Sequence, residues 1–405
     1  MIRPYKFLDY YEIGDAEIFF GRDLEVEKLL SDVISTRLVL LFAKTGSGKT
    51  SLINAGVRPR LKQLDYETYY IRVEKDPMAS AISTLQKEKV VSEESDGRPL
   101  DAILADVIEK REKPIVLFFD QFEEFFIYIT DEKAREEFIA TIARIYRNRE
   151  SSIQIVFSFR EEFFVEMEVF RNEIPTIFHN ESNLRLKWFS ANQARDAIVK
   201  PAKHFGFEVK EDLIEKLLSD LDTERGIEPA RLQIVCDTLW GKSGSKMDAD
   251  HYVTLGRAER IIEHRLEQDI ADNLNDDELR LFEKLLPALR TEVAIKAGPI
   301  QVRGRVFEEM LKPFKYGRTV EDLLTVLNVD EPTLRALIQK LKDLRLLKEV
   351  KRFDNIYIEW ISDYLANLTD FLFTRVRAIL LGRMLRSAMV RAATATEEIA
   401  RRKNQ

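Results

Sequence analysis

A chain of 405 residues, 33% of them charged and 45% apolar, has the balance of a soluble globular protein rather than a fibrous or disordered one. At about 150 residues per domain it is long enough for three domains. No apolar run approaches the roughly 20 residues of a spanning helix, and the opening "MIRPYKFLDYY" lacks the apolar centre of a signal peptide, so no transmembrane segment and a cytoplasmic location are expected.

The single cysteine, Cys236, excludes an internal disulfide and reads as a small core residue of "ARLQIVCDTLW". The net charge of −7 is unevenly spread: from Tyr364 onward eight Lys and Arg face three Asp and Glu, a balance of +5, which leaves −12 on the rest. An acidic body argues against a general nucleic-acid binder, and the basic tail reads as a helix packed on its own domain with a solvated arginine face.

In chain order, "RDLEVEKLLSDVI" has a helical period and "RLVLLFA" (37–43) is a near-continuous apolar strand. "SLINAGVRPRL" is helical, "YETYYIRV" a strand, "PLDAILADVIEKR" a helix, "PIVLFFD" (114–120) a strand, "EKAREEFIATIARIYRN" a helix, and "SIQIVFSF" (152–159) and "NLRLKWF" (183–189) strands. Apolar strands separated by helices predict a parallel α/β sheet covered on both faces. After Ser190, a predicted N-cap, strands give way to three helical patterns, and "GKSGSKMDADH" reads as a linker followed by more helices. Near the end, two helices, the second opening at Asp330 and Glu331 with Pro332 in its first turn, precede two short strands turning at "RFDN"; that order is a winged helix. Trp188, Trp240 and Trp360 read as core, and His179, His204, His251 and His264 are scattered without ligand spacing.

The segment Ala43-Lys44-Thr45-Gly46-Ser47-Gly48-Lys49-Thr50-Ser51 follows a strand and opens a helix, the context that makes a phosphate loop. Gly46 and Gly48 let the backbone turn its N–H groups toward a phosphate, and the helix start adds a favourable field. Lys49 would bridge the β and γ phosphates while the Thr50 hydroxyl and the Asp120 carboxylate hold Mg²⁺. Ala43, where a glycine is usual, is tolerable while its φ stays negative. Asp120 ends "IVLFFD" on what reads as a neighbouring strand, and Glu123 or Glu124 would orient the attacking water; Gln121 occupies the place where many ATPases carry that glutamate. If unused, either acid reads as an exposed charge at a helix start. Arg160 ends the next strand, where ligands sit in open α/β sheets, and would sense the γ-phosphate.

Together these segments resemble the STAND-class ATPases, the signal-transduction branch of AAA+-like P-loop proteins, and most of all the bacterial novel STAND group. The resemblance spans about residues 3–370. It implies that Phe19, Phe20, Gly21, Arg22 and Glu25 line the adenine side, that "DQFEEFF" forms the metal and catalytic strand end, that "FREEFF" is a sensor, and that Pro229 of "GIEPARLQIVCDTLW" rests against the nucleotide. Relatives often carry a histidine in the winged-helix segment that reaches the β-phosphate of ADP; the matching place here is Ser362.

The expected architecture is an AAA+/ASCE-like P-loop domain (1–189), a helical lid (190–245), a winged-helix domain (246–366) and a basic helical tail (367–405). The expected function is an ATP/ADP switch that binds and slowly hydrolyses ATP with Mg²⁺, self-associates on ATP binding, and works with an effector and a sensor carried on other chains or on regions outside this one, in defence against phage. Two alternatives stand beside it. One is an origin-recognition-like ATPase that inserts "EPTLRALIQKLKDLR" into DNA through Arg335, Lys340, Lys342 and Arg345; the other is a scaffold that binds nucleotide without hydrolysing it.

Overall fold

A computed structural model of the protein describes residues 3–73, 76–92, 98–129, 131–178, 183–241, 247–289, 291–293, 301–302, 305–306, 314–316, 318–344, 346–352, 355–360 and 369–403. It falls into two compact units, Met1–Ala258 and Glu259–Gln405.

In the first unit, α1 (Asp23–Ser35) precedes β1 (Leu38–Ala43), and the helix after β1 runs in three stretches: α2 (Lys49–Ser51), a π-helical segment (Leu52–Val57) and α3 (Arg58–Gln63). There follow β2 (Glu67–Arg72), α4 (Pro77–Lys87), α5 (Leu100–Arg111), β3 (Ile115–Asp120), α6 (Glu123–Tyr128), α7 (Glu132–Arg147), β4 (Ile153–Arg160) and β5 (Asn183–Arg185). All five strands pair in parallel in the order β2–β3–β4–β1–β5. β4 therefore lies between β1 and β3, so the strand bearing Asp120 is not the neighbour of the strand leading into the glycine-rich loop, as the sequence suggested.

Alternation along the strands gives the sheet two different faces. Val39, Leu41, Ala43, Val116, Phe118 and Val156 pack on α1, the π segment and α3. Gly56 makes that packing possible, since a Cβ there would stand 2.6 Å from Val26 Cγ2. The other face is aromatic. Phe122, just beyond β3, stacks on Phe157 at 4.1 Å and on Phe125 at 5.1 Å, with Phe138 and Phe170 around them. α4 escaped the sequence reading although its signals are local: Asp76 accepts from Met78 and Ala79 N–H, and Pro77 starts the helix.

The rest of this unit is helical: α8 (Ala191–His204), α9 (Glu211–Leu221), α10 (Pro229–Trp240) and α11 (Ala249–Thr254). Ser190 caps α8 in a capping box with Gln193, as its sequence predicts. Instead of running on to residue 189, β5 stops at Arg185, and Phe189 makes a separate antiparallel bridge to Ile227. Gly226 (φ +100°) permits it, because a Cβ there would meet Phe189 O at 2.6 Å. The segment expected to be a linker ends early: Asp248 caps α11, and Met247 and Ala249 are buried. Of the three tryptophans only Trp360 is core. Trp188 and Trp240 are half-buried, Trp240 against the edges of Tyr5 and Phe207.

The second unit takes in most of α12 (Arg257–Asn273), then α13 (Asp276–Ala288). Where the sequence suggested helices only, the short strands β6 (Thr291–Val293), β7 (Gln301–Val302), β8 (Arg305–Val306) and β9 (Phe314–Tyr316) pair as β6–β9 and β7–β8; the alternation in "IQVRGRVF" is the signal of β7 and β8. β10 (Arg318–Thr319), α14 (Val320–Leu327), α15 (Glu331–Asp343), β11 (Leu347–Arg352) and β12 (Asn355–Trp360) follow, with the strands in the antiparallel order β10–β12–β11. α16 (Thr369–Lys403) buries Leu372, Val376 and Leu380. Its arginine face is not simply solvated: Arg375 pairs with Glu263, Arg377 with Glu283 and Arg383 with Asp276.

Candidate functional site: a phosphate cradle beside an acidic strand end

β1 ends at the fully buried Ala43, in register with Arg160. The chain then turns through the half-buried Lys44 and Thr45. Gly46 (φ +77°) and Gly48 (φ +90°) take the left-handed backbone that glycine adopts at least cost, whereas Ala43 is not among the residues of positive φ. Gly48 caps the helix that Lys49 and Thr50 begin. Beside it is open space, with no atom within 4 Å of where a Cβ would stand. Lys49 Nζ reaches back to Ala43 O at 3.4 Å. Ser47 is buried and its Oγ makes no hydrogen bond. Ser51 Oγ accepts from Tyr11 N–H at 3.1 Å, which ties the segment before α1 to the loop helix.

The Asp120 carboxylate, 1% exposed, is gripped by three hydroxyls. Thr50 Oγ1 donates to Oδ2 at 2.7 Å, Tyr70 OH to Oδ2 at 2.8 Å, and Ser158 Oγ to Oδ1 at 2.5 Å. Burial, then the neighbouring Asp120 charge, hold the Tyr70 phenol well above its usual range, so it remains a donor. Strand order explains the cluster: Tyr70 and Arg72 on β2, Asp120 on β3 and Ser158 on β4 share the face that looks toward the loop helix. Sequence reading named Thr50 and Asp120 but neither Tyr70 nor Ser158; the only local signal was their parity on strands.

Beyond Asp120 the chain reverses at Gln121, whose φ of +58° is a left-handed conformation unusual outside glycine. The turn brings Glu123 against Arg160: Arg160 Nε donates to Oε1 at 3.0 Å and Arg160 N–H to Oε2 at 3.3 Å. Glu123 and Glu124 are both buried, so neither is the exposed helix-start charge that an unused acid was expected to be. Burial raises the Glu123 pKa, with Arg160 and then Lys49 opposing it. Glu123 thus feels the charges of Arg160, Lys49 and Asp120 at the carboxyl ends of β1, β3 and β4.

The segment before α1 holds the residues that the resemblance assigns to the adenine side. Phe19 and Phe20 are half-buried, Phe19 packing against Tyr11 at 5.4 Å. Gly21 (φ +83°) touches α8 so closely that a Cβ would stand 2.4 Å from Gln193 O. Arg22, 2% exposed, donates to Ser47 O at 3.0 Å, pairs with Glu25 at 2.8 Å and lies 4.2 Å over the Phe189 ring. Glu25 also accepts from Gln193 Nε2 at 2.7 Å. Pro229 is the first residue of α10, and the residue before it reaches the loop: Glu228 Oε1 lies 3.5 Å from where a Cβ on Gly46 would be. Burial raises the Glu228 pKa, partly offset by Arg231. Ser362, Arg345 and His179 lie outside the described residues.

The donor set fits Mg²⁺ bound together with a nucleotide. Thr50 and Asp120 offer a hydroxyl and a carboxylate oxygen next to each other, hard ligands of the kind Mg²⁺ takes in small number while phosphate and water complete its shell. Among the described residues no group of three or more His, Cys, Asp or Glu is placed to hold a metal ion by itself.

A glycine-rich loop entering a helix, with a hydroxyl-gripped aspartate across an intervening strand of a parallel sheet, defines a P-loop nucleotide-binding protein of the AAA+-like class. Residues 4–356 match the family described as Novel STAND NTPase 1, and the chain belongs to that family. No curated protein matches it. Solved structures similar to it include a Walker-type ATPase of Pyrococcus abyssi, at 16% identity over 90% of this chain and 100% of that one with a TM-score of 0.44. The Aeropyrum pernix ORC2 protein in ADPNP–ADP complexes matches at 15% identity over 90% and 95% with a TM-score of 0.44. Domain III of DnaA from Thermotoga maritima matches at 15% over 61% and 95% with a TM-score of 0.40.

Proposed function

We propose that the protein is an ATP- and ADP-controlled switch that binds ATP with Mg²⁺ and hydrolyses it slowly. The observation that carries this reading is the meeting of Thr50 and Asp120 at 2.7 Å beside a loop held open by Gly46 and Gly48, with Lys49, Glu123 and Arg160 around it. Lys49 would contact the β and γ phosphates, and Lys44, Thr45, Ser47 and the glycines would present backbone N–H groups to them. Thr50 and Asp120 would hold Mg²⁺, which supplies charge neutralisation at the phosphates. Glu123 is favoured as the residue that orients water because it is paired with Arg160 and senses Lys49. Arg160 would pass from Glu123 to the γ-phosphate when ATP enters. The adenine would lie on the Phe19–Arg22 side, with Pro229 near the phosphates.

Moving a population from 1:99 to 99:1 takes about 5.5 kcal/mol of differential affinity. Two charge-assisted hydrogen bonds to the γ-phosphate, about 1.5–3 kcal/mol each, approach that figure, and a trigger supplies the rest. On this reading α14, α15 and the β11–β12 pair work as a winged helix whose arrangement answers to the nucleotide. ATP exposes a self-association surface, and an effector and a sensor act through it in defence against phage. DNA reading is less well supported, because Arg335, Lys340 and Lys342 are engaged by Glu331, Glu278 and Glu349.

Native mass spectrometry of the purified protein, before and after excess ATP and Mg²⁺, tests the proposal. Bound ADP on a monomer that converts to a larger assembly is expected, with Lys49→Ala silent. Protein free of nucleotide in both samples would reject it.

A further inference from the structure

We propose that Tyr70 is a positioning residue for the metal-binding carboxylate, fixing the Asp120 oxygen that Thr50 shares. The inference rests on reading the loop as a Mg²⁺-nucleotide site and adds a residue to it.

Oδ2 of Asp120 accepts from both Thr50 Oγ1 and Tyr70 OH. These two donors differ in what they can do when a cation arrives. Thr50 sits on the loop helix, and its hydroxyl must turn a lone pair outward to serve as a ligand, which ends its donation to Asp120. Tyr70, on the neighbouring strand β2, has a single proton to give. It therefore keeps one lone pair of Oδ2 committed and leaves the other, which Thr50 now uses, for a cation, while Ser158 holds Oδ1.

The phenol is itself braced. Arg58 lies 5.8 Å over the Tyr70 ring and is held by Asn54 Oδ1 at 2.9 Å, by Thr68 Oγ1 at 3.3 Å and by Thr68 O at 3.2 Å. Asn54 belongs to the π-helical segment just after the phosphate loop, so the loop helix, Arg58, Tyr70 and Asp120 form one chain of contacts. An irregular helical turn sits where that chain begins, and π segments recur at functional sites. A tyrosine that merely satisfied its own hydroxyl on the nearest acceptor would need neither the bracing nor a shared oxygen. Removing an outer-shell hydrogen bond of this kind typically lowers metal affinity 10–100-fold.

The test is mant-ADP binding to the full chain, first in EDTA and then with rising Mg²⁺, for wild type, Tyr70→Phe and Lys49→Ala. Tyr70→Phe keeps the ring under Arg58 and removes only the hydroxyl. The half-saturating Mg²⁺ concentration is expected to rise about tenfold, with affinity in EDTA unchanged. An unchanged or lower Mg²⁺ requirement would overturn the proposal. So would loss of the EDTA binding in Tyr70→Phe, which would make the hydroxyl a support of the fold and not of the metal. If wild type binds no mant-ADP under either condition, the nucleotide reading itself fails, an outcome recognised because wild type and Lys49→Ala then look alike.

Discussion

Glu123 and Glu124 are consecutive, yet the contacts of Glu123 with Arg160 single it out for the water-orienting role proposed above. Glu123 faces Arg160 twice and feels Lys49, and burial raises its pKa against those two positive charges. As the base of the proposed hydrolysis Glu123 must be deprotonated, so turnover should fall as pH drops through that raised pKa, with its acid limb above that of an ordinary glutamate. In the nucleotide-free protein, where Arg160 faces Glu123, replacing Arg160 by Gln removes the larger opposing charge and leaves burial less checked, so the Glu123 pKa should rise further; a carbon-13 NMR titration of the glutamate carboxyls reads this directly, and an unmoved Glu123 would refute it. Glu123→Gln should lower turnover by roughly 10²–10⁴ with ADP binding retained, while Glu124→Gln should have a smaller effect. Equal losses in the two variants would contradict the assignment. The sequence offered both glutamates as equals because a choice between them depends on Arg160, 37 residues away.

Elements meet at two glycines that look alike in the sequence and differ in the fold. Gly48 has open space beside it, so Gly48→Ala should cost only the left-handed backbone penalty, about 1–2 kcal/mol. Gly21 carries the same backbone penalty and in addition presses on the α8 backbone at Gln193 O. Gly21→Ala should therefore destabilise by a further ~1–3 kcal/mol, because a helix cannot yield as a flexible side chain would. Urea unfolding of the two variants side by side measures the difference, and equal midpoints would show that α8 gives way. On the aromatic face, Phe122 is fully buried between Phe157 and Phe125 and anchors the turn that delivers Glu123. Phe122→Ala should cost about 3–5 kcal/mol and reduce turnover beyond the loss of folded protein.

For the whole molecule, the division after Ala258 places every described residue of the cradle in the first unit. A fragment ending there should unfold cooperatively and gain about 2.7 kcal/mol from ADP at 100 times its Kd, seen as a shift of Tm; a fragment that folds but shows no shift would mean that the second unit completes the site. Three of the eight cations of the C-terminal region are paired inside the second unit, where Arg375, Arg377 and Arg383 meet acids of α12 and α13. By itself the sequence determined the phosphate loop, the helix starts at Ser190 and Asp330 and the five strands of the parallel sheet, since each depends on neighbours in the chain: glycine at positive φ, a capping side chain, an apolar period. Only the tertiary structure decided that β4 separates β1 from β3, and hence that Tyr70 and Ser158, 50 and 38 residues from Asp120, grip its carboxylate. Strand order is set by packing both faces of the sheet at once, and a linear spacing carries no record of which strands that packing makes neighbours.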